Sequence, residues 1–222
     1  MHNATFGPAH WTPATRNGEP VPDVWTKELL RRDHGDSFTL LRLGFGAKFE
    51  LSGSANDRLL VLDGEFTAAD REQTYRRGAY CAGGADVLSG HAGCLALVLT
   101  GDRLGAPAAD VFSPDGWLES GPGQWFRLLL DVTFDEHFDE RVIGLSYFEP
   151  CSTAPRHPHR TAHRILFLDG EADDELVFPD GTRRTAHRMR GDFVDYPYPI
   201  QHQTFSGTGC TILFAHEPIS TT

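Results

Sequence analysis

No stretch of the 222-residue chain approaches the roughly 18 consecutive apolar side chains that a membrane-crossing helix requires. The N-terminus lacks a basic segment followed by an apolar core, so no secretory leader is expected and a cytoplasmic location is. Cysteine is scarce: Cys81, Cys94, Cys151 and Cys210 are scattered and form no CxxC pair. That excludes a zinc knuckle and a disulfide scaffold, and the thiols read as small buried hydrophobes. Positive charge is also short. Twenty Lys and Arg against 31 Asp and Glu leave a formal charge of -11. A nucleic-acid face needs clustered cations, and the basic pairs here (Arg183-Arg184, Arg188 and Arg190) have acidic segments beside them.

Sustained helical periodicity is missing too, and one short helix near Val24–Arg32 is the most the pattern accommodates. Glycine (23) and proline (14) are abundant, as suits many turns between short strands. Apolar residues make up 40% of the chain, enough for a packed core.

The chain repeats itself. Arg58-Leu-Leu-Val-Leu-Asp-Gly-Glu65 matches Arg164-Ile-Leu-Phe-Leu-Asp-Gly-Glu171, and each reads as a strand entering a tight Asp-Gly hairpin. Gly78-Ala-Tyr-Cys81 then matches Gly191-Asp-Phe-Val194. Ser89-Gly-His-Ala-Gly-Cys94 matches Ser206-Gly-Thr-Gly-Cys210, and the strand-like segment from Phe38 matches the one from Arg141. Order and approximate spacing are kept, as in a tandem duplication of one β module. The expected modules are residues 1–110 and 111–222, joined by a loop-rich stretch from about Gly101 to Gly123. Closed barrels suit such strands because closure removes exposed edges.

Histidine is the unusual residue, with 11 copies. In His157-Pro-His159 the two imidazoles are two apart, so on a strand they share one side. His163 enters the next strand on the same parity, and His202 follows a strand and a Pro-rich turn. Imidazole suits most first-row divalent ions, and several converging on a β scaffold make a metal site. His2, His10, His34, His91, His137, His187 and His216 lack such a frame and read as non-ligands, with His187 and His216 the nearest to qualifying.

These residues resemble the cupins, whose motifs are G-x5-H-x-H-x3,4-E-x6-G and G-x5-P-x-G-x2-H. His157, His159 and Gly170 fall on the first motif; Gly191, Pro197 and His202 fall on the second. Three positions depart. Cys151 stands for the first glycine, Pro199 for the second-motif glycine, and His163 for the glutamate. Four-histidine sites do occur in the family. The resemblance implies an all-β chain of two tandem cupin barrels (double-stranded β-helix, or jelly-roll). His157, His159, His163 and His202 are then its metal ligands. In the first module Leu51, Gly53 and Asp57 align with the first three ligands, so that module has no ligand set and suits a structural or dimer-forming role.

Without a carboxylate ligand the ion keeps its full charge and attracts an anionic substrate. Six-coordinate Fe(II) is the first expectation, with Mn, Ni, Cu or Zn as alternatives. Phe167, by parity from His163, is expected to wall the pocket, and Tyr198 and Gln201 to offer substrate hydrogen bonds. No separate catalytic carboxylate can be picked out. The resemblance extends to small cupin dioxygenases that cleave β-diketones or dihydroxyacetophenones and to the cupin domains of anti-sigma factors. It implies a dioxygenase acting on a small enolisable or phenolic molecule, and a homodimer, as cupins commonly are. A non-oxidative Lewis-acid isomerase, hydrolase or lyase, and a zinc-binding sensing module, are the other readings.

Overall fold

A computed structural model describes residues 6–7, 10–31, 37–50, 57–70, 72–84, 86–101, 104–129, 142–159, 162–196 and 199–217. Every regular element among them is a β-strand. The chain divides into two compact units, Pro8–Pro114 and Asp115–Thr222, the latter joined by Met1–Gly7.

The first unit holds β1 (Thr12–Arg16), β2 (Glu19–Arg31), β3 (Ser37–Leu43) and β4 (Lys48–Glu50). It continues with β5 (Arg58–Ala68), β6 (Gln73–Arg76), β7 (Tyr80–Ala82) and β8 (Asp86–Thr100). They form one antiparallel sheet in the order β1-β2-β3-β8-β5-β6, with β4 on β8 and β7 on β5. The short helix expected near Val24–Arg32 is not there: up to Arg31 this stretch is the second half of β2, paired with β3 across one register shift between Glu28 and Leu30. Trp25 and Thr26 are among its extended residues, and both side-chain types pack better on a pleated surface than on a helix.

The second unit holds β9 (Leu118–Gly121), β10 (Gln124–Leu128), β11 (Val142–Phe148), β12 (Ser152–His159) and β13 (Ala162–Val177). β14 (Arg183–Met189), β15 (Phe193–Tyr196), β16 (Ile200–Ser206) and β17 (Cys210–Glu217) complete it. Its sheet runs β12-β16-β13-β17-β11-β10-β9, with β14 and β15 also paired to β13. The core of this unit gathers Phe126, Phe148, Ile165, Phe167, Ile212 and Phe214 among others.

The Asp-Gly pairs are not hairpin turns. Asp63-Gly64 and Asp169-Gly170 lie inside the long strands β5 and β13, each at a β-bulge where the register shifts by one residue. Gly64 and Gly170 have φ of 70° and 71°, and each amide bonds its preceding aspartate Oδ1 at 3.0 Å. A Cβ on either would meet the Gly93 or Gly209 carbonyl oxygen at 2.2 and 2.1 Å. A left-handed glycine in a bulge bends a strand without ending it, and that bend carries β13 from β17 on one side to β16 on the other.

The duplication recurs in backbone detail. Val61 N–H reaches the Ala79 carbonyl at 2.9 Å and Gly78 N–H returns to Val61; Phe167, Asp192 and Gly191 repeat the pair at 2.9 and 2.8 Å. Gly78 and Gly191 have φ of 90° and 91°.

Candidate metal centre

β12 brings His157 and His159 to one end of the second unit, and β16 brings His202 directly opposite His157. On β16 the alternation is regular. Ile200, His202, Thr204 and Ser206 are buried, while Gln201 and Phe205 are exposed. His157, His159 and His202 offer three nitrogens within 4.8 Å of one another. Their ring centres form a near-equilateral triangle, 4.7 Å on each side, with the planes inclined by 49° to 65°.

That triangle can be compared with what an ion requires. With a metal–nitrogen bond of about 2.1 Å, rings at about 90° around one ion have centres about 4.6 Å apart; about 109° spreads them to about 5.3 Å. The observed spacing fits a facial, octahedral-type set. It leaves the remaining positions for other ligands.

Ring orientation is set by second partners. His157 Nδ1 donates to the Pro155 carbonyl at 2.8 Å, and His202 Nδ1 donates to Asp174 Oδ1 at 3.0 Å. Both rings therefore keep Nε2 as the lone-pair nitrogen. Asp174 is wholly buried and also accepts from Thr204 Oγ1 at 3.1 Å and from the Tyr196 hydroxyl through a short hydrogen bond. Burial, with the Asp174 charge next, holds the Tyr196 phenol well above its ordinary range. A buried carboxylate needs this many donors.

Burial favours the neutral form of His157, His159, His163 and His216. Burial, then the neighbouring rings His202, His216 and His157, lower His159 to about 2. Burial lowers His216 to about 4 and His163 well below 6.5, again with neighbouring histidines adding to the effect. His157 moves down as well, mainly by burial. Neutral imidazole is the metal-ligating form. His159 Nε2 and His163 Nδ1 are buried without a hydrogen-bond partner, which a bound ion would remedy.

Of the residues read from sequence, the structure brings His157, His159 and His202 together. His163 adjoins them, its ring centre 3.9 Å from that of His159 and 5.4 Å from that of His202, and it also forms a group with His159 and His216. Phe167 is fully buried but does not line the cavity, because it abuts the bulge at Asp169 where the strand turns away. Ile165, of the same parity, does line it. Gln201 points away from the site to solvent, and Tyr198 lies outside the described residues. Cys210 is buried as expected, with burial raising its thiol to about 11, but Cys151 is exposed. Asp57, aligned with His163, is buried; Leu51 and Gly53 lie outside the described residues.

Asp174 escapes the sequence reading, and His216 is set aside there as a near miss. Asp174 falls on the buried parity of β13 between Ala172 and Leu176, an ionisable residue where an apolar one is expected. His216 continues the alternation of Ile212 and Phe214, and all three line the cavity. This cavity, about 350 Å³, is walled chiefly by Phe126, Phe148, Ile165, Ile212 and Phe214, with the histidines gathered on one side.

No family model matches the sequence, and no curated protein matches it either. Solved structures do. A cupin 2 conserved barrel domain protein from Leptotrichia buccalis superposes with a TM-score of 0.58 at 12% identity, over 90% of this chain and 91% of its own. Lactobacillus farciminis oxalate decarboxylase, solved as a formate complex, gives 0.59 at 13% identity, over 97% and 86%. Bacillus subtilis oxalate decarboxylase, a protein with Mn(II) centres, gives 0.59 at 14%, over 100% and 79%. The chain has the cupin fold, twice. At these identities the likeness concerns the fold alone. This bicupin carries both of its possible metal-holding groups in the second barrel, among the described residues.

Proposed function

We propose that this bicupin is a metal-dependent oxygenase whose substrate is a small enolisable or phenolic molecule bound as its anion. The observation that carries the reading is the three-histidine face, spaced for an octahedral ion and opening into an aromatic-walled cavity.

His157, His159 and His202 would hold the ion, with Asp174 fixing the His202 tautomer. Facial spacing favours a six-coordinate ion, Fe(II) first and Mn(II) next, over tetrahedral zinc. A bound divalent ion would supply the positive charge that lowers the pKa of a coordinating hydroxyl and, if redox-active, the electrons that dioxygen chemistry uses. Neutral imidazoles leave that charge uncompensated, so an anion is preferred. Among the described residues no carboxylate lines the cavity, and the substrate would therefore shed its proton to solvent as it binds. Phe126, Phe148 and Phe214 exclude water and offer ring faces to a planar substrate.

Oxalate decarboxylation is the alternative that the neighbours' names raise. Among the described residues no Lys or Arg lines this cavity to pair with a second carboxylate, and its walls are apolar. A diketone or dihydroxyaromatic suits such walls better than a small dianion.

The test is elemental analysis of untagged protein, beside a His159→Ala variant, followed by oxygen-electrode assays with diketones, dihydroxyaromatics and oxalate. About one iron or manganese per chain, lost in the variant, with oxygen uptake on a diketone or phenol, is expected. Stoichiometric zinc without oxygen uptake would overturn the oxygenase reading in favour of Lewis-acid or sensing chemistry. Metal-free wild type, after growth in metal-supplemented medium, would overturn the metal site itself.

A further inference from the structure

His163 and His216 sit opposite each other on the paired strands β13 and β17, with ring centres 4.3 Å apart. His159 stacks on His163 at 3.9 Å with the planes only 10° apart, and its ring centre is 5.1 Å from that of His216. These three residues offer one nitrogen each within 4.8 Å of one another, as the first triad does. They differ from it in burial. All three are buried, whereas His157 in the first triad is half-exposed.

We infer that the cavity contains a second, inner position for a divalent ion, formed by His159, His163 and His216. The inference rests on the metal-site reading above and extends it to a residue outside both cupin motifs. Two independent observations converge. The first is the convergence of three imidazoles from three strands, β12, β13 and β17, on the cavity wall. The second is that His159 Nε2 and His163 Nδ1, both buried, have no hydrogen-bond partner. Buried polar atoms are nearly always satisfied, and an unsatisfied pair side by side marks the place of an absent ligand. Three neutral nitrogens favour an imidazole-preferring ion such as cobalt, nickel, copper or zinc.

Sharing His159 makes the two positions competitors. Parallel stacked rings direct their lone pairs side by side, so one ring must turn before His159 and His163 can address a single ion. A turn of His159 withdraws its nitrogen from the outer triad. The chain is thus expected to hold one ion at a time, outer or inner.

The decisive comparison uses Co(II), whose visible absorption reports its coordination, titrated into metal-free, untagged full-length protein. Wild type should bind one equivalent. The H157Q/H202Q pair removes two of three outer ligands and should still bind one equivalent, at least tenfold more weakly and with a changed spectrum. Adding H216Q to that pair should cost a further tenfold or abolish binding. Loss of all binding in H157Q/H202Q, or no added effect of H216Q, would overturn the inner position while leaving the outer site intact. Wild type that binds no Co(II) would instead sink the metal reading as a whole. Thermal melting checks the fold of each variant. If the pair does not melt cooperatively, H157Q against H157Q/H216Q replaces it, since His157 is half-exposed at the cavity rim, and the same loss on adding H216Q is required.

Discussion

Asp174 Oδ1 lies 3.0 Å from His202 Nδ1, and the two residues come from different strands, β13 and β16. The carboxylate does not line the cavity; it reaches the site through the His202 ring it holds and through Thr204. Asp174→Asn should therefore reduce metal affinity by about 10- to 100-fold, the usual cost of losing a ligand's orienting partner. Competition with a chromogenic chelator measures it. Unchanged affinity would show that His202 needs no such support.

Tyr196 contributes to the same network from the other carboxylate oxygen. Tyr196→Phe keeps the ring but removes a donor from a buried charge. A loss of about 1–3 kcal/mol in stability is expected, with a smaller effect on metal affinity than Asp174→Asn. Chemical denaturation of the metal-free protein, set beside the chelator assay, separates the two.

The buried histidines make the metal-free protein acid-sensitive. Their folded values, about 2 for His159 and about 4 for His216, lie below the unfolded value of 6.5. Between those limits the unfolded chain binds more protons, so stability is full above about pH 6.5 and falls as the pH drops. Each such group contributes up to about 1.4 kcal/mol per pH unit across its window. Melting temperatures from pH 8 to 4.5 should be level at first and then decline, less steeply in His216→Gln.

Cys151 occupies the place of the first-motif glycine and has φ of 62°. The backbone keeps the left-handed conformation although the residue is not glycine. Such a conformation costs an L-residue about 1–2 kcal/mol. Cys151→Gly should recover part of that, offset by the greater freedom of glycine in the unfolded chain, for a net gain near ~0.5 kcal/mol. Thermal melting decides the sign.

Gly170→Ala should act in the opposite direction and more strongly, because the new Cβ would meet the Gly209 carbonyl at 2.1 Å. A loss of about 3 kcal/mol is expected, with Gly64→Ala comparable. Equal losses in the two variants would mean that the bulges carry equal weight in their barrels.

Much of this was readable before any coordinates. The H-x-H pair and the Gly191-to-His202 spacing point to three histidines that do meet in the fold, because strand parity and motif spacing are local properties. His163 lies on the cavity side beside His159 and His202, as its parity implies, while its pairing with His216 depends on which strands meet. His216 carried a legible signal in the Ile212-Phe214-His216 alternation; no motif frames it, so it was passed over. Phe167 illustrates where parity fails. Ile165, Leu166, Phe167 and Leu168 are all buried, so polarity does not mark the cavity side, and the bulge at Asp169 changes the direction of the strand. The same bulge was misread as a hairpin because Asp-Gly supplies a left-handed glycine to either structure.

Two copies of that bulge, one in each barrel, bear on what the metal is for. The first barrel retains the bent strand, the left-handed glycines and the bonds around Val61, while in sequence Leu51 and Gly53 align with His157 and His159. A framework that repeats without that histidine set is not expected to need an ion in order to close. The ion is then a tenant and not a keystone. Chelation should empty the site and leave both barrels standing, so that one scaffold can be reloaded with a series of ions.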